Sequence, residues 1–425
     1  MKSLLRPRWI LTAIILILAV ALFWLVTTNN SSVWPYRNTL QYHALIWWWE
    51  RTDYPQPGAP GTLQGVVRDT RGQPIAGAWV LVSWWDGTTH SARSGLDGSY
   101  TIANLPGGQY RPVAGAPGYA DVQLGGWGWL TVNAGAETTA NVNLLIEPLH
   151  TIAPGTNLSF GQPDTSACSA PIEASAMRQT FMFDSGGQPN QPALYYTPLD
   201  TTSTSRLPAL LVVYPGPAAS WECASLSLAA AGYAVAAVGP AYSLDLEADI
   251  DELERVVNFI RAGKFPGSDG SKLAILGGSY SALHVQRLLQ RNPNYQAVVL
   301  LGPPTDLFDM RRRLEDRTFI PPFGLDQVMI ALGLPDRDPM RYWRYSGAYH
   351  IRPDLPPLVI MHSRTDEVVP FQQSELLSAN LAKVGVAHQT YFFDGASHYL
   401  MAEGGDADTL EVYRITLEFL AEHLK

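Results

Sequence analysis

Hydrophobic and polar positions divide the chain into three regimes. The first is an uncharged run from Trp9 to Thr28, preceded by Lys2, Arg6 and Arg8. Its length matches the ~20 residues of a spanning helix and exceeds the ~7–15-residue core of a cleaved signal peptide. No small-x-small site precedes Asn29. The run is read as a transmembrane signal anchor over 9–28, with secretion after cleavage as the alternative. The positive residues ahead of it place residues 1–8 in the cytoplasm and the rest outside. Residues 29–61 form a juxtamembrane linker. Within it, Tyr42 to Arg51 carries Trp47, Trp48 and Trp49, a short helix either in the membrane interface or packed under the next domain. Tyr54 to Gly61, with three prolines, breaks any helix.

In the second regime, residues 62–147, the pattern alternates with period two. Short runs (Leu63 to Val67, Ala78 to Ser83, Ser99 to Ile102) are divided by turn signals at Arg71 to Pro74, Asp86-Gly87, Asp97-Gly98 and Pro106 to Gly108. Runs and turns at this spacing predict a small all-β sandwich. Residues 148–177 read as a polar connector.

The third regime, 178–425, alternates strand and helix patterns. Strands are predicted at Gln179 to Phe183, Ala193 to Thr197, Pro208 to Tyr214, Tyr233 to Val238, Lys272 to Leu276, Gln296 to Leu301, Pro357 to His362 and Gln389 to Phe393. Helices are predicted at Leu246 to Ala262, Ala282 to Arg291, Gln372 to Val384 and Asp408 to Leu424. This is the signature of an α/β fold whose mostly parallel sheet is covered on both faces. Pro303 to His350 breaks the rhythm and reads as a helical insertion beside the site.

Composition changes this picture little. Apolar content of 46% with 16% charged residues fits large buried cores. A net charge of −9 without a basic stripe argues against nucleic-acid binding. The two cysteines, Cys168 and Cys223, lie outside the membrane on this reading and either pair as a disulfide or stay free. Trp84, Trp85, Trp127 and Trp129 serve either as core or interdomain packing or as a carbohydrate or peptide platform.

The candidate chemistry centres on Leu273 to Ala282. An apolar run leads through Gly277 and Gly278 into Ser279, Tyr280 and a helical pattern. A nucleophile elbow needs this context: a sharp strand-to-helix turn, small flanking residues and a serine at the helix start. Ser281 occupies the last slot of G-x-S-x-G. A serine nucleophile needs a base, and the base needs an acid to fix its tautomer. Asp366 follows one strand and His398 follows the last, which gives the order Ser, Asp, His of this fold. Among competitors, Glu367 and Asp394 read as surface or turn acids, and His362 as a packed, hydrogen-bonded histidine. His284 lies on the helix after the elbow. No histidine pair has H-x-x-x-H spacing, and no cofactor is called for. The oxyanion needs fixed donors. One is the Tyr280 amide. Pro215 and Pro217 cannot donate, so the second is the Tyr214 hydroxyl, with the Gly216 amide as fallback.

Two resemblances follow from these residues. Gly65 to Asp69, Gly72 to Ala78, Asp97 to Tyr100, Leu105 to Tyr110 and Gly118-Tyr119 resemble the carboxypeptidase regulatory-like domain, usually a structural or binding accessory module. Tyr214 to Pro217, Gly277 to Tyr280, Gly302 to Asp306, His362 to Asp366, Pro339 to Ser346 and His398 are similar to the catalytic domain of the prolyl oligopeptidase and dipeptidyl peptidase group of serine peptidases. That resemblance implies an α/β-hydrolase fold over 178–425, a Ser279/Asp366/His398 triad and an oxyanion hole using the Tyr214 hydroxyl. The chain departs from the group in having no β-propeller. Val368 replaces an asparagine, and Ser281 and Ala282 replace glycines. The expected function is a membrane-anchored, extracytoplasmic serine hydrolase, a prolyl oligopeptidase-like peptidase acting through the Ser/Asp/His triad and an acyl-enzyme. A carboxylesterase and a non-catalytic surface scaffold are the alternatives.

Overall fold

The structure is a computed structural model that describes residues 7–28, 30, 33–126, 128–149, 157–169, 172–183, 193–202, 204–239, 245–322, 325–398 and 407–425. The N-terminal apolar run forms a helix, Pro7–Thr27, with exposed side chains such as Leu16, Ile17 and Phe23. Among the described residues, no helix is long and apolar enough to cross a membrane. The span expected over 9–28 is therefore not established by the fold. A second helix, Trp34–Trp49, follows; it starts eight residues before the Tyr42 expected from the sequence.

The all-β region begins earlier than expected, because the first strand is Gly58–Asp69. One sheet joins Leu130–Val132, Ser99–Tyr110, Gly58–Asp69, Glu137–Thr139 and Val142–Leu144. The other runs Thr89–Arg93, Trp79–Ser83, Val113–Gly115, Val122–Gln123. Alternate residues (Leu63, Val67, Val80, Val82, Tyr100, Ile102) fill the layer between the two sheets. This is the sandwich the period-two pattern requires.

The remaining strands form one ten-stranded sheet. Its order is Leu158–Phe160, Ala174–Phe183, Ala193–Thr197, Ala234–Val238, Leu207–Val213, Ser268–Gly278, Ala297–Leu301, Leu358–Ser363, His388–Phe393, and Asp164–Cys168 also pairs with Ala174–Phe183. From Ala234–Val238 to His388–Phe393 every neighbouring pair is parallel. The expected connector 148–177 thus contributes edge strands. Its polar residues suit antiparallel strands that are only half-covered.

The central strands are buried on both faces. Odd positions of Leu207–Val213 (Leu211, Val213) join the core under helices Leu246–Arg261 and Tyr280–Arg291. Even positions (Leu210, Val212) join the core under Glu222–Ala230 and Ala407–Leu424. The insertion after Gly302 carries helices Leu307–Glu315, Leu325–Ala331 and Pro339–Arg344. It docks onto the sandwich. The Ser83 hydroxyl donates to Pro335 O (2.9 Å) and the Arg111 guanidinium to Arg337 O (2.7 Å). A Cβ on Gly87 would lie 2.4 Å from Phe308 O, so the two bodies meet at backbone distance there.

The tryptophans of the sandwich take part in packing. Trp84 lies against Tyr110, and Trp85 clusters with Trp49 and Tyr54, which also contact each other. Trp129 lies under the Arg111 guanidinium, while Trp127 is outside the described residues. Trp84 and Trp85 are half-buried in these contacts, and Trp129 is 36% exposed.

Cys168 and Cys223 form a disulfide with Cα atoms 5.6 Å apart. It ties the edge strand Asp164–Cys168 to helix Glu222–Ala230 across 55 residues of chain. Closing such a loop removes denatured-state entropy worth roughly 2–4 kcal/mol. The Cys168→Ala/Cys223→Ala variant should lose stability of that order in urea unfolding, and thiol titration of the unreduced, unfolded wild type should find no reactive thiol.

Candidate active site

Ser279 ends the strand Ser268–Gly278 and caps helix Tyr280–Arg291 with φ +52° and ψ −130°. It is one of three non-glycine residues at positive φ among those described. The local sequence makes this turn possible. A Cβ on Gly277 would lie 2.6 Å from the Val285 side chain, and one on Gly278 would lie 3.1 Å from Leu301 Cβ. The Ser279 amide donates to Leu301 O (2.8 Å) on the next strand.

Ser281 does more than fit its slot. Fully buried, its hydroxyl accepts from the Gly278 amide (3.0 Å) and lies 2.6 Å from Val213 O, to which it donates. It therefore fastens the elbow to the end of the strand that leads into the Tyr214 loop. A glycine there would leave that carbonyl without this partner.

The other two expected residues arrive from neighbouring strands. Asp366 follows Leu358–Ser363, and His398 follows His388–Phe393. Ser279 Oγ lies 2.7 Å from His398 Nε2, and His398 Nδ1 lies 2.7 Å from Asp366 Oδ2. The loops carrying the acid and the base are tied together. The Ser363 and Thr365 hydroxyls donate to Ala396 O, the Arg364 amide donates to Phe393 O, and the His398 amide donates to Glu367 Oε2 (3.2 Å). Glu367, expected to be a surface or turn acid, lies in the turn after Leu358–Ser363 and holds the His398 loop.

Asp366 is 6% exposed, and four donors surround its carboxylate. Oδ1 accepts the Val368 and Val369 amides (2.8 and 2.7 Å). Oδ2 accepts His398 Nδ1–H and lies 3.1 Å from His362 Nε2. Burial pushes this carboxyl up, but the hydrogen bonds from His362 and His398 outweigh it and hold the group well below the usual carboxylate range. It stays ionised at any working pH, as an acid that orients a histidine must.

His362 is completely buried, as expected of a packed histidine, but it packs against the site. Its Nε2–H also faces Val369 O (3.0 Å), and its Nδ1 accepts from the Ser374 hydroxyl (2.6 Å). These partners fix the tautomer that presents N–H to Asp366. Gly302 closes the same space. At φ +51° its missing Cβ would lie 3.3 Å from Asp366 Oδ2 and 3.7 Å from His398 Cε1. The insertion starts from this glycine, and Gln373 Oε1 holds its first turn by accepting the Thr305 and Asp306 amides (2.9 and 2.7 Å). His362 and Gln373 lie in the residues around Asp366, but sequence spacing alone does not tell that they converge on it.

Tyr214 departs from expectation. It is 4% exposed, its ring stacks on Trp221, and its hydroxyl bonds Ser225 Oγ (2.9 Å) on helix Glu222–Ala230. Burial pushes the phenol up. The reason is register: Tyr214 continues the even positions Leu210 and Val212, which face the layer under helices Glu222–Ala230 and Ala407–Leu424. In this structure the hydroxyl is bonded to Ser225, and the Gly216 amide is the fallback donor expected from the sequence. A Cβ on Gly216 would meet nothing within 4 Å, so this loop position borders open space. His284, on the nucleophile helix, is buried against Asp249 (Nε2 to Oδ2 3.2 Å) and is not brought to Ser279.

With this geometry in place, comparison with known proteins defines the class. Residues 62–145 match the family model of the carboxypeptidase regulatory-like domain. Residues 247–425, which hold the whole triad, match that of the prolyl oligopeptidase family. The protein is a serine hydrolase of α/β-hydrolase fold, with an all-β domain ahead of it. Similar solved structures include a propionate-bound thermophilic esterase from Thermogutta terrifontis (20% identity, TM-score 0.44, covering 54% of this chain and 89% of that one). Others are a truncated carbohydrate esterase from gut microbiota (18%, 0.45, 56% and 94%) and an acetyl ester-xyloside bifunctional hydrolase from Caldicellulosiruptor lactoaceticus (19%, 0.44, 57% and 91%). No curated protein matches the chain.

Two substitutions probe this arrangement. Ser279→Ala should abolish labelling by a fluorophosphonate probe, and retained labelling would place the nucleophile elsewhere. His362→Phe removes a donor to Asp366, which makes the carboxylate more basic and favours protonated His398. The acid limb of the pH–kcat/KM profile should move to higher pH; an unmoved limb with a simple loss of protein stability would reduce His362 to packing.

Proposed function

We propose that the chain is an extracytoplasmic serine peptidase held at a membrane by its N-terminal helix. The observation that carries the hydrolase chemistry is the unbroken contact chain from Ser279 Oγ through His398 to Asp366, with both links at 2.7 Å. His398 Nε2 takes the Ser279 proton as Oγ bonds the substrate carbonyl carbon. The oxyanion so formed faces the Tyr280 and Gly216 amides. His398 then gives the proton to the leaving nitrogen as the C–N bond breaks. Water, deprotonated by the same imidazole, releases the acyl group from Ser279.

The family match over 247–425 supports the peptidase reading. The apolar helix Pro7–Thr27 behind Lys2 and Arg6 supports membrane attachment, and the Cys168–Cys223 disulfide fits an oxidising compartment. A second reading, a carboxylesterase, is favoured by one observation. The Tyr214 hydroxyl is engaged with Ser225, which leaves an oxyanion hole of backbone amides.

The test compares p-nitrophenyl acyl esters with peptide p-nitroanilides on wild type and Ser279→Ala. Ser279-dependent anilide turnover is expected; ester turnover alone would establish the second reading. Tyr214→Phe should leave kcat within a few-fold, whereas a loss on the order of 10²-fold would return the hydroxyl to the oxyanion hole.

A further inference from the structure

Helix Trp34–Trp49 has two faces of different fate. Trp34, Asn38, Tyr42 and Trp49 lie on one side and are engaged with the folded domains. The Asn38 amide donates to Ala331 O (3.0 Å), and Trp34 is 6% exposed beneath the Arg341 guanidinium, 3.8 Å from its ring. The Tyr42 ring faces the fully buried Arg311 (4.7 Å), and Trp49 packs on Trp85 (4.9 Å). Gly333, at φ +91°, leaves room for the Asn38 side chain, which would lie 3.1 Å from a Cβ there. This face docks the helix onto the insertion that begins at Gly302.

Helical periodicity puts Tyr36, Leu40, His43 and Trp47 on the opposite side, with Ala44 and Trp48 at its edge. These residues are exposed: Tyr36 by 73%, Leu40 by 48%, Trp47 by 55% and Trp48 by 57%. Between Tyr36 and Trp48 the stripe carries no carboxylate or ammonium group, and the exposed Glu50 lies at its end, past Trp47. Tyrosine and tryptophan beside leucine are the chemistry of the membrane–water boundary, where ring bodies reach acyl chains and their polar tips stay wet. Arg37 and Arg51 flank the stripe, and Arg51 stacks on Trp47 (4.2 Å).

Position in the chain selects the occupant. Only six residues, 28–33, separate this helix from the apolar helix Pro7–Thr27. Even fully extended they reach about 20 Å. The connection is tighter than that, because the Arg37 guanidinium donates to Thr28 O (3.0 Å).

We infer that the outer face of helix Trp34–Trp49 lies in the interfacial layer of a lipid bilayer while its inner face holds the catalytic domain. The helix is thus a mount that fixes the height and tilt of the triad over the membrane. This rests on the membrane attachment proposed above. Without lipid contact, the helix would still be docked, but its aromatic stripe would remain in water.

Depth-resolved spin labelling tests this on the full chain. The chain's two cysteines are paired, so an introduced cysteine takes a nitroxide selectively. Labels at Leu40→Cys and Trp47→Cys report the stripe. Ile15→Cys reports the apolar helix, and Leu96→Cys, 91% exposed on the sandwich, is the aqueous reference. In liposomes of phosphatidylcholine and phosphatidylglycerol, labels at 40 and 47 should show an oxygen-to-nickel-complex accessibility ratio several-fold above that at 96. A ratio equal to that at 96, with 15 still protected, would overturn the mount while leaving the anchor intact. Water exposure at 15 as well would overturn both. Spin–spin broadening at 40 that disappears on dilution with unlabelled protein would assign the stripe to a second copy of the chain and overturn the lipid contact.

Discussion

Ser279 is held at φ +52°, a backbone state that costs a non-glycine residue about 1–3 kcal/mol. The strain turns the serine out of the sheet and places the Tyr280 amide at the start of a helix, next to where negative charge develops. Holding it requires close packing on every side. Gly277 and Gly278 allow Val285 and Leu301 to approach, Leu301 O receives the Ser279 amide, and the Ser281 hydroxyl fastens the turn to Val213 O. The two strands flanking Ser268–Gly278 thus brace the elbow from both sides, and that bracing depends on the parallel register of the sheet.

The second constraint is electrostatic. Asp366 is a buried charge, and such a charge is tolerable only where its lone pairs are satisfied. Two backbone amides and two histidines supply four donors. Their placement leads outward to the rest of the domain. His362 is fixed by Ser374, and Gln373 on the same turn holds the first residues of the insertion. A Cβ on Gly302, at the root of that insertion, would lie 3.3 Å from the carboxylate. The insertion in turn carries the β-sandwich and helix Trp34–Trp49. Accessory elements far from the serine are therefore joined to it through the surroundings of one carboxylate.

Much of this was legible in the residues. Buried parallel strands announce themselves as apolar runs, so the strands from Pro208 onward lay within four residues of their observed ends. The triad was legible because chain order and strand ends suffice to find it. Helix Glu222–Ala230 was not. Its sequence, Glu-Cys-Ala-Ser-Leu-Ser-Leu-Ala-Ala, is small or apolar nearly all round and six of its nine residues are buried, so it has no amphipathic stripe to reveal it. That omission also hid the Tyr214–Ser225 bond, since Ser225 lies on this helix. The edge strands in 158–168 were missed because half-exposed strands are polar and short. The roles of Ser281, Glu367 and His362 depend on contacts between segments distant in sequence, which spacing does not encode.

The central claim is that Ser279 carries the acyl group during turnover. Acid-quenching the enzyme milliseconds after mixing with p-nitrophenyl acetate, followed by peptide mass mapping, reads this directly. The account predicts one added acetyl group on the peptide containing Ser279, reaching a steady level before bulk turnover and absent when His398 is replaced by alanine. An acetyl group on another residue, or turnover without any covalent intermediate at Ser279 under conditions where deacylation limits the rate, would contradict it.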